Sequence, residues 1–159
     1  MKYYKNVDDI STGDLLLLEI DPDVARESWC LKLELPKLSK REIFIPLWIE
    51  GDEIVFLSKA VLINHRFDSE SNVYEKSEIK KWIMKNLGRN FFLLSKKEAM
   101  RLPKEILSCN KFWWLRSPNS NDNSWTDNVN NSGDINDNYA NSTVGGVRAA
   151  CKIKLPGRK

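Results

Sequence analysis

Apolar and polar residues alternate over short stretches in the first third of the chain, a pattern typical of half-buried β-strands. In Trp29 to Leu35, three leucines alternate with Lys32 and Glu34. A glycine-containing turn at residues 50–53 favours a hairpin between two later strands, because glycine accepts a positive φ. Pro46 predicts an edge strand or a β-bulge within the first of them. The predicted strands are Asp14 to Ile20, Trp29 to Leu35, Ile43 to Ile49 and Ile54 to Leu57.

Two helices are predicted in the middle of the chain, each with recognisable end signals. The first covers Ser77 to Leu87, with apolar residues at helical spacing, Ser77 as N-cap and Gly88 as C-terminal stop. The second begins at Ser95, because Ser95 and Glu98 form an S-x-x-E capping box. It should end before Pro103.

The composition changes abruptly after Pro118. Nine Asn lie between positions 119 and 143. Apolar residues nevertheless recur there, at Trp125, Val129, Ile135 and Tyr139. This alternation predicts short strands joined by Asx turns, with polar side chains turned to solvent on one face. The chain then closes with a strand predicted from Val147 to Leu155, which has one apolar and one basic face.

The charge distribution argues against nucleic acid as a partner. The formal net charge is only +3, and no Lys or Arg occurs between Ser117 and Val147, where four Asp give a local charge of −4. A phosphate-binding groove requires the opposite sign. Neither a signal peptide nor a membrane-spanning apolar run is found, so we expect a soluble protein, cytoplasmic or virion-associated, with no membrane partner.

The residues that could support catalysis or metal binding are sparse. Three cysteines, Cys30, Cys109 and Cys151, and the single His65 form no CxxC pair and no zinc-ligand spacing. The Asp residues of the Asn-rich segment lack the spacing of a calcium loop. No Cys has an activating partner in the sequence. We therefore predict no enzyme activity, no catalytic residue, no metal and no cofactor.

Two motifs near the C-terminus carry a family resemblance. FWWLRSP at Phe112 to Pro118 and GGVRAACKIKL at Gly145 to Leu155 resemble a bacterial and phage domain family of unknown function, whose members read WWLRSPG, an Asn/Ser-rich stretch and GVRPAL. The resemblance extends over residues 43–155. Asn119 replaces the usual Gly of that family, and Ala149 the usual Pro.

The family in turn is similar to the C-type lectin-like proteins that include formylglycine-generating enzymes and the variable proteins of diversity-generating retroelements. This resemblance implies one α+β domain of C-type lectin-like fold over residues 1–159, with short mixed or antiparallel sheets and two helices. Within it we expect N-terminal strands at 1–42, a conserved-type scaffold at 43–118, a variable binding region at 119–143 and a closing strand at 144–155.

In those variable proteins, adenine-directed mutagenesis converts Asn codons mainly to other small or polar residues and Tyr. Residues 119–143 consist almost wholly of Asn and such products, whereas Trp125 cannot arise in this way. The resemblance thus implies a hypervariable surface that binds an unknown protein or glycan. Its expected ligand-binding residues are Asn119, Asn121, Asn123, Ser124, Asn128, Asn130, Asn136, Asn138, Tyr139 and Asn141, and its framework residues are Trp113, Trp114, Arg116, Trp125 and Arg148.

Two other functions are weighed against this one. The chain could be a phage or surface display module with a fixed loop, which would be compatible with oligomer formation. It could also be an oxidase like the formylglycine-generating relatives, which use cysteines near the C-terminus; Cys151 would be the residue concerned.

Overall fold

A computed structural model of the chain describes residues 1–119 and 122–155. Helices and sheets both occur along these residues, so the predicted α+β class is confirmed. The chain separates into two compact units, one formed by residues 1–59 with 150–155 and the other by residues 60–149. The single C-type lectin-like domain stays a prediction.

The strands of the described residues are, in chain order, β1 (Lys2–Tyr4), β2 (Trp29–Leu35), β3 (Lys40–Glu50), β4 (Glu53–Ser58), β5 (Ile63–Asn64), β6 (Phe91–Phe92), β7 (Trp113–Pro118), β8 (Trp125–Val129), β9 (Ile135–Tyr139), β10 (Gly146–Val147) and β11 (Ala150–Lys154). The α-helices are α1 (Thr12–Ile20), α2 (Pro22–Ser28), α3 (Glu78–Asn86), α4 (Lys96–Ala99) and α5 (Lys104–Leu107). Short 3₁₀ turns lie at Val7–Asp9, Pro36–Leu38 and Tyr74–Lys76.

The first unit contains the strand order β1-β2-β3-β4-β11. β1 runs parallel to β2, and the other neighbours pair antiparallel. The register of β3 against β4 shifts between Pro46 and Trp48, so the bulge expected at Pro46 is confirmed. Buried Arg26 of α2 donates to the carbonyls of Pro46 and Leu47, at 3.0 and 2.5 Å, which satisfies backbone groups around this irregularity.

The strand predicted at Asp14 to Ile20 was wrong, because this segment belongs to α1. Residues 1–42, where N-terminal strands were expected, contain β1 and β2 but also the helices α1 and α2. A run of four leucines fits a buried strand and a helix equally well. The end signal decides between them: the Ser11 side chain accepts a hydrogen bond from the Asp14 N–H, which starts a helix.

The second unit contains the strand order β5-β10-β7-β8-β9. Both predicted helix starts are confirmed. Ser77 caps α3 through the Lys80 N–H, and Ser95 and Glu98 form the reciprocal capping box of α4. Gly88 follows α3 with a φ of 126°, a conformation that favours glycine.

The predicted closing strand divides into two. Residues 146–147 pair with β5 and β7, whereas residues 150–154 pair with β4 in the other unit's sheet. Arg148 and Ala149, both buried, connect β10 to β11. Over residues 1–119 and 122–155, no helix has the length and apolar character that a bilayer crossing requires.

Candidate functional site

The candidate site is built on the meander of β7, β8 and β9. β8 and β9 pair antiparallel, with Asn128 opposite Asn136 and Asp127 opposite Asp137. Since side chains alternate between the two faces of a sheet, directly opposed residues share a face. One side, here called the amide face, carries Thr126, Asn128, Asn136 and Asn138. The other, here called the acidic face, carries Trp125, Asp127, Val129, Ile135, Asp137 and Tyr139.

The turn between β8 and β9 is held by Asn130. Its Oδ1 accepts from the backbone N–H groups of Ser132 and Asp134, both at 3.0 Å. Its own N–H donates to the Asp134 carbonyl at 2.8 Å. Gly133 within the turn has a φ of 85°, which an L side chain rarely adopts. The Asx turn expected in this segment is therefore present.

A pocket of about 260 Å³ opens on the amide face. We call it the amide pocket. Phe112 contributes an aromatic wall, held edge-on against Trp114 with ring centroids 5.4 Å apart. The remaining lining residues are Asn128, Asn130, Asn131, Ser132, Asn136, Asp137 and Asn138. Apart from Phe112, the residues that line the pocket are polar.

Several amides around this pocket have their orientation set by the backbone. Asn136 Oδ1 accepts from the Asp137 N–H at 2.9 Å, and Asn138 Oδ1 accepts from the Tyr139 N–H at 2.8 Å. Asn130 Oδ1 is used in the turn described above. Because a backbone N–H needs an acceptor, each of these amides must bring its oxygen to the backbone. Their Nδ2 groups are then the atoms available to a ligand.

Asn128 occupies the least exposed position of the amide pocket, at 3% exposure. Its strand β8 lies between β7 and β9, and it faces Trp114 on one side and Asn136 on the other. Within residues 1–119 and 122–155, no hydrogen bond to the Asn128 amide is found. The expectation that the Asn side chains of this segment point into solvent was wrong for Asn128, because a central strand is flanked on both sides.

Asn72 positions the start of the site, although no motif or periodicity in the sequence marks it as a functional residue. It is 5% exposed, and its Nδ2 donates to the carbonyls of Asp122 at 3.0 Å and Trp125 at 2.9 Å. Its backbone N–H donates to the Asn123 carbonyl at 3.0 Å. One buried amide therefore fixes the entry into β8. These contacts span about fifty residues of sequence, and Asn72 belongs to a polar run without periodicity.

Of the other predicted ligand-binding residues, those that the structure describes lie outside the amide pocket. Asn119 is half-buried and donates from Nδ2 to Asp137 Oδ2 at 2.6 Å. Ser124 closes an Asx turn on Asp122, and Tyr139 contacts Trp125 on the acidic face with ring centroids 4.4 Å apart. Asn123 and Asn141 are exposed. Asn121 lies outside the described residues.

Trp113 and Arg148, two of the predicted framework residues, form one buried unit. The Arg148 guanidinium lies 4.9 Å from the centre of the Trp113 ring and donates to the Ile106 carbonyl at 2.5 Å. Trp113 Nε1 donates to the Leu107 carbonyl at 3.0 Å. Burial lowers the pKa of Arg148 to about 10, so the side chain still carries its charge at neutral pH.

Trp114 joins the two motifs through Gly145. The indole is fully buried, and its Nε1 donates to the His65 carbonyl at 2.8 Å. A Cβ placed on Gly145 would lie 2.3 Å from two atoms of this ring. Only glycine allows such an approach, so the second motif begins with a residue that leaves room for the first.

Arg116 connects β7 to the capping box of α4. Its Nη1 donates to the Leu93 carbonyl at 2.7 Å and to Glu98 Oε1 at 2.5 Å. Burial alone would raise the pKa of Glu98, but hydrogen bonds from the Ser95 N–H and from Arg116 lower it below its ordinary value. Trp125, the last framework residue, is only half-buried and contacts Tyr139.

The thiols lie away from these pockets. Cys151 in β11 and Cys30 in β2 are buried, and burial raises the pKa of each thiol. Cys109 is half-buried, with its Sγ 3.7 Å from the Lys111 carbonyl. Across the described part of the chain, no three His, Cys, Asp or Glu side chains come together in a way that could hold a metal ion.

Comparison with known proteins identifies one domain. Residues 84–155 match the model of a domain of unknown function, DUF6273. The match begins within α3 and includes both Phe112 to Pro118 and Gly145 to Leu155, so the two motifs and the meander between them belong to the matched region. No curated protein matches the chain, and no solved structure matches it.

Proposed function

We propose that this chain is a non-catalytic ligand-binding protein that recognises a protein or a glycan through the amide pocket. The observation that carries this proposal is the set of amides whose oxygens are bound to backbone and whose Nδ2 groups remain for a ligand. The hydrogen bonds described above that stabilise the hairpin use the Oδ1 atoms of these Asn side chains and not their Nδ2 groups.

The chemistry of the pocket indicates what kind of group it takes. Nδ2 donors from Asn130, Asn136 and Asn138 favour a ligand rich in oxygen acceptors, such as peptide carbonyls or sugar hydroxyls. Phe112 adds an aromatic surface on which an apolar edge can pack. Short polar side chains with aromatic anchors provide adaptable recognition at low entropic cost, as in antibody loops.

The size of the pocket favours a protruding group over a whole small molecule. Its volume of about 260 Å³ lies below the range of about 300–1,000 Å³ that is usual for small-molecule sites. We therefore infer that the pocket receives one side chain or one sugar ring of a larger partner.

We further propose that residues 119–143 are a diversified segment on a C-type lectin-like fold, as in the variable proteins of diversity-generating retroelements. The amide pocket takes most of its lining from this segment, while the stabilising contacts of Arg148, Trp114 and Arg116 come from outside it. A neighbouring reverse transcriptase gene, with a near-copy of the segment that differs mainly at adenines, would establish diversification. Its absence would restrict the proposal to a fixed binding loop.

An oxidase of the formylglycine-generating type is a poorer match to the geometry. Its chemistry would require an accessible thiolate, whereas burial raises the pKa of Cys151 and favours the neutral thiol. We therefore assign no reaction to Cys151 in this proposal.

Asn-to-Asp substitutions provide a sharp test, because they keep an oxygen for the backbone N–H but replace the nitrogen donor with a second acceptor. The double variant Asn136→Asp/Asn138→Asp changes the amide pocket. The control Asn123→Asp/Asn141→Asp adds the same charge outside it. Wild-type protein and both variants would be screened on a glycan array and against a displayed peptide library.

We expect the pocket variant to lose the binders that the wild type selects and the control to retain most of them. Equal loss in both variants would point to a charge effect and remove the pocket from the proposal. If wild-type protein selects no binder and forms defined oligomers, the display-module alternative is favoured.

A further inference from the structure

A second concave surface lies on the acidic face of the hairpin. This groove has a volume of about 590 Å³ and is open to solvent. It lies between the start of α4 and strands β8 and β9. Its lining residues are Ser95, Lys96, Lys97, Ser117, Pro118, Asn119, Asp127, Ile135, Asn136 and Asp137.

Asp127 is the unusual residue of this groove. It is 9% exposed, yet within the described part of the chain no hydrogen bond or ion pair reaches its carboxylate. Buried carboxylates are ordinarily paired or hydrogen-bonded, since loss of hydration is costly. Burial raises the pKa of Asp127 and Asp137 adds to the rise, while Lys96 acts in the opposite direction.

A second carboxylate stands directly across the strand pair. Asp137 is opposite Asp127, and like charges in this position destabilise a sheet. Asn119 donates to Asp137 Oδ2, which compensates one of the two carboxylates. Asp127 has no equivalent donor in the described residues. A cation held at this point would supply the missing hydrogen bonds and relieve the repulsion.

Two lysines also line the groove. Lys96 and Lys97 are exposed lysines at the start of α4, and both line the groove. The charge of Lys96 lowers the pKa of Asp127, against the larger effect of burial. The groove therefore has both carboxylate and lysine side chains among its lining residues.

We propose that this groove binds a small zwitterion of the amino acid or short peptide class, with its ammonium group on Asp127 and Asp137 and its carboxylate on Lys96 and Lys97. The ammonium donates to the Asp127 carboxylate, which has acceptor capacity to spare. The groove shares Asn136 and Asp137 with the amide pocket, whereas Asp127 and both lysines line only the groove. Binding of the zwitterion in the groove does not depend on whether the amide pocket binds a partner.

Protein NMR with three matched probe pools tests the proposal on the full chain. The probes are random dipeptides with both termini free, the same pool N-acetylated, and the same pool amidated at the C-terminus. The free pool should shift the amide signals of Asp127, Asp137 and Lys96. N-acetylation should abolish these shifts, and amidation should weaken them, because each removes one of the two charges.

Charge-neutral variants identify the residue responsible. Asp127→Asn should weaken binding of the free pool by about tenfold or more, as expected when a charge-assisted hydrogen bond is lost. Asp134→Asn is the matched control, since exposed Asp134 pairs with Lys104 at 2.8 Å and does not line the groove. Lys97→Gln should reduce the preference for a free C-terminus.

Three results with the dipeptide pools would overturn the proposal: no shift with the free pool, equal shifts with the acetylated pool, or equal affinity in Asp127→Asn and wild-type protein. Shifts of the same signals by calcium, with none by the dipeptides, would also overturn it in favour of a metal site. Thermal melts of each variant confirm that a loss of binding is not a loss of fold.

Discussion

Gly145→Ala should destabilise the protein severely, although it adds only one methyl group. That methyl would lie 2.3 Å from Trp114 Cε2 and Nε1 and 2.5 Å from Cζ2, far inside van der Waals contact. The indole cannot move outward freely, because it is fully buried and packs edge-on against Phe67 and Phe112. Either the ring or the backbone must shift, and the hydrogen bond from Trp114 to the His65 carbonyl is strained or lost.

The size of the effect follows from these contacts. Overpacking of a core costs about 1–3 kcal/mol, and this clash belongs at the upper end. The lost hydrogen bond adds about 1 kcal/mol. Replacing glycine also restricts the unfolded chain, which offsets about 0.4–1 kcal/mol of this loss. The net loss is about 3 kcal/mol, which for a chain of this size lowers the melting temperature by roughly 6–12 °C.

The same substitution at Gly13 is the control. Gly13 lies in α1, and its nearest neighbour to an added Cβ is Ser11 Oγ at 4.0 Å. Gly13→Ala should therefore raise stability by about 0.5–1 kcal/mol through helix propensity. Both variants are measured by urea and thermal unfolding. Trp114→Phe in the Gly145→Ala background should restore part of the loss relative to additivity. A Gly145→Ala protein as stable as wild type would refute the packing argument.

Three further outcomes are expected from the framework and the groove. Arg148→Ala should lower the free energy of unfolding by about 3 kcal/mol, because it leaves buried carbonyls without a donor, and Arg148→Lys should lower it less. Equal melting curves for Arg148→Ala and wild type would contradict this role. Asn72→Ala should lower the free energy of unfolding by about 2 kcal/mol and speed hydrogen exchange of the backbone amides near Asn123. Unchanged exchange would show that the loop is stable without the contacts of Asn72. Asp127→Asn should raise the melting temperature at neutral pH. The pKa of the Asp127 carboxyl is raised in the folded state, so the wild-type protein loses stability as the pH rises above the ordinary Asp range. The stability advantage of the variant should vanish at lower pH, where Asp127 is protonated in both the folded and the unfolded state. A constant advantage at all pH values would argue against this assignment.

The elements that could be predicted from the sequence are those with local signals. Helix starts could be predicted from capping residues, namely Ser77 for α3 and the pair Ser95 and Glu98 for α4. The alternation of apolar residues from Trp125 onward predicts β8 and β9. The leucine run of α1 was mispredicted because its periodicity fits a strand and a helix equally well, and only the Ser11 cap distinguishes the two. Local patterns therefore predicted element type well, except where two patterns fitted equally.

The site could be predicted only in part, because its decisive contacts are long-range. Which segment carries the amide pocket follows from composition, but the burial of Asn128 depends on the pairing of β8 with two neighbours. Asn72 contributes through carbonyls about fifty positions away. The separation of Val147 from Ala150 into different sheets depends on partners that no local pattern specifies.

The recurrence of Asn in this hairpin has a physical explanation that joins stability to recognition. β9 is the last strand of its described sheet, and the N–H groups of Asp137 and Tyr139 are satisfied by the preceding Asn side chains rather than by another strand. An edge capped in this way is protected against pairing with a second chain. The same amides present their nitrogens to the amide pocket. Replacement by Asp or Ser would preserve an oxygen for the backbone, whereas Ile would remove it and expose the edge, so tolerance to change should be narrower at Asn136 and Asn138 than at exposed Asn123 and Asn141.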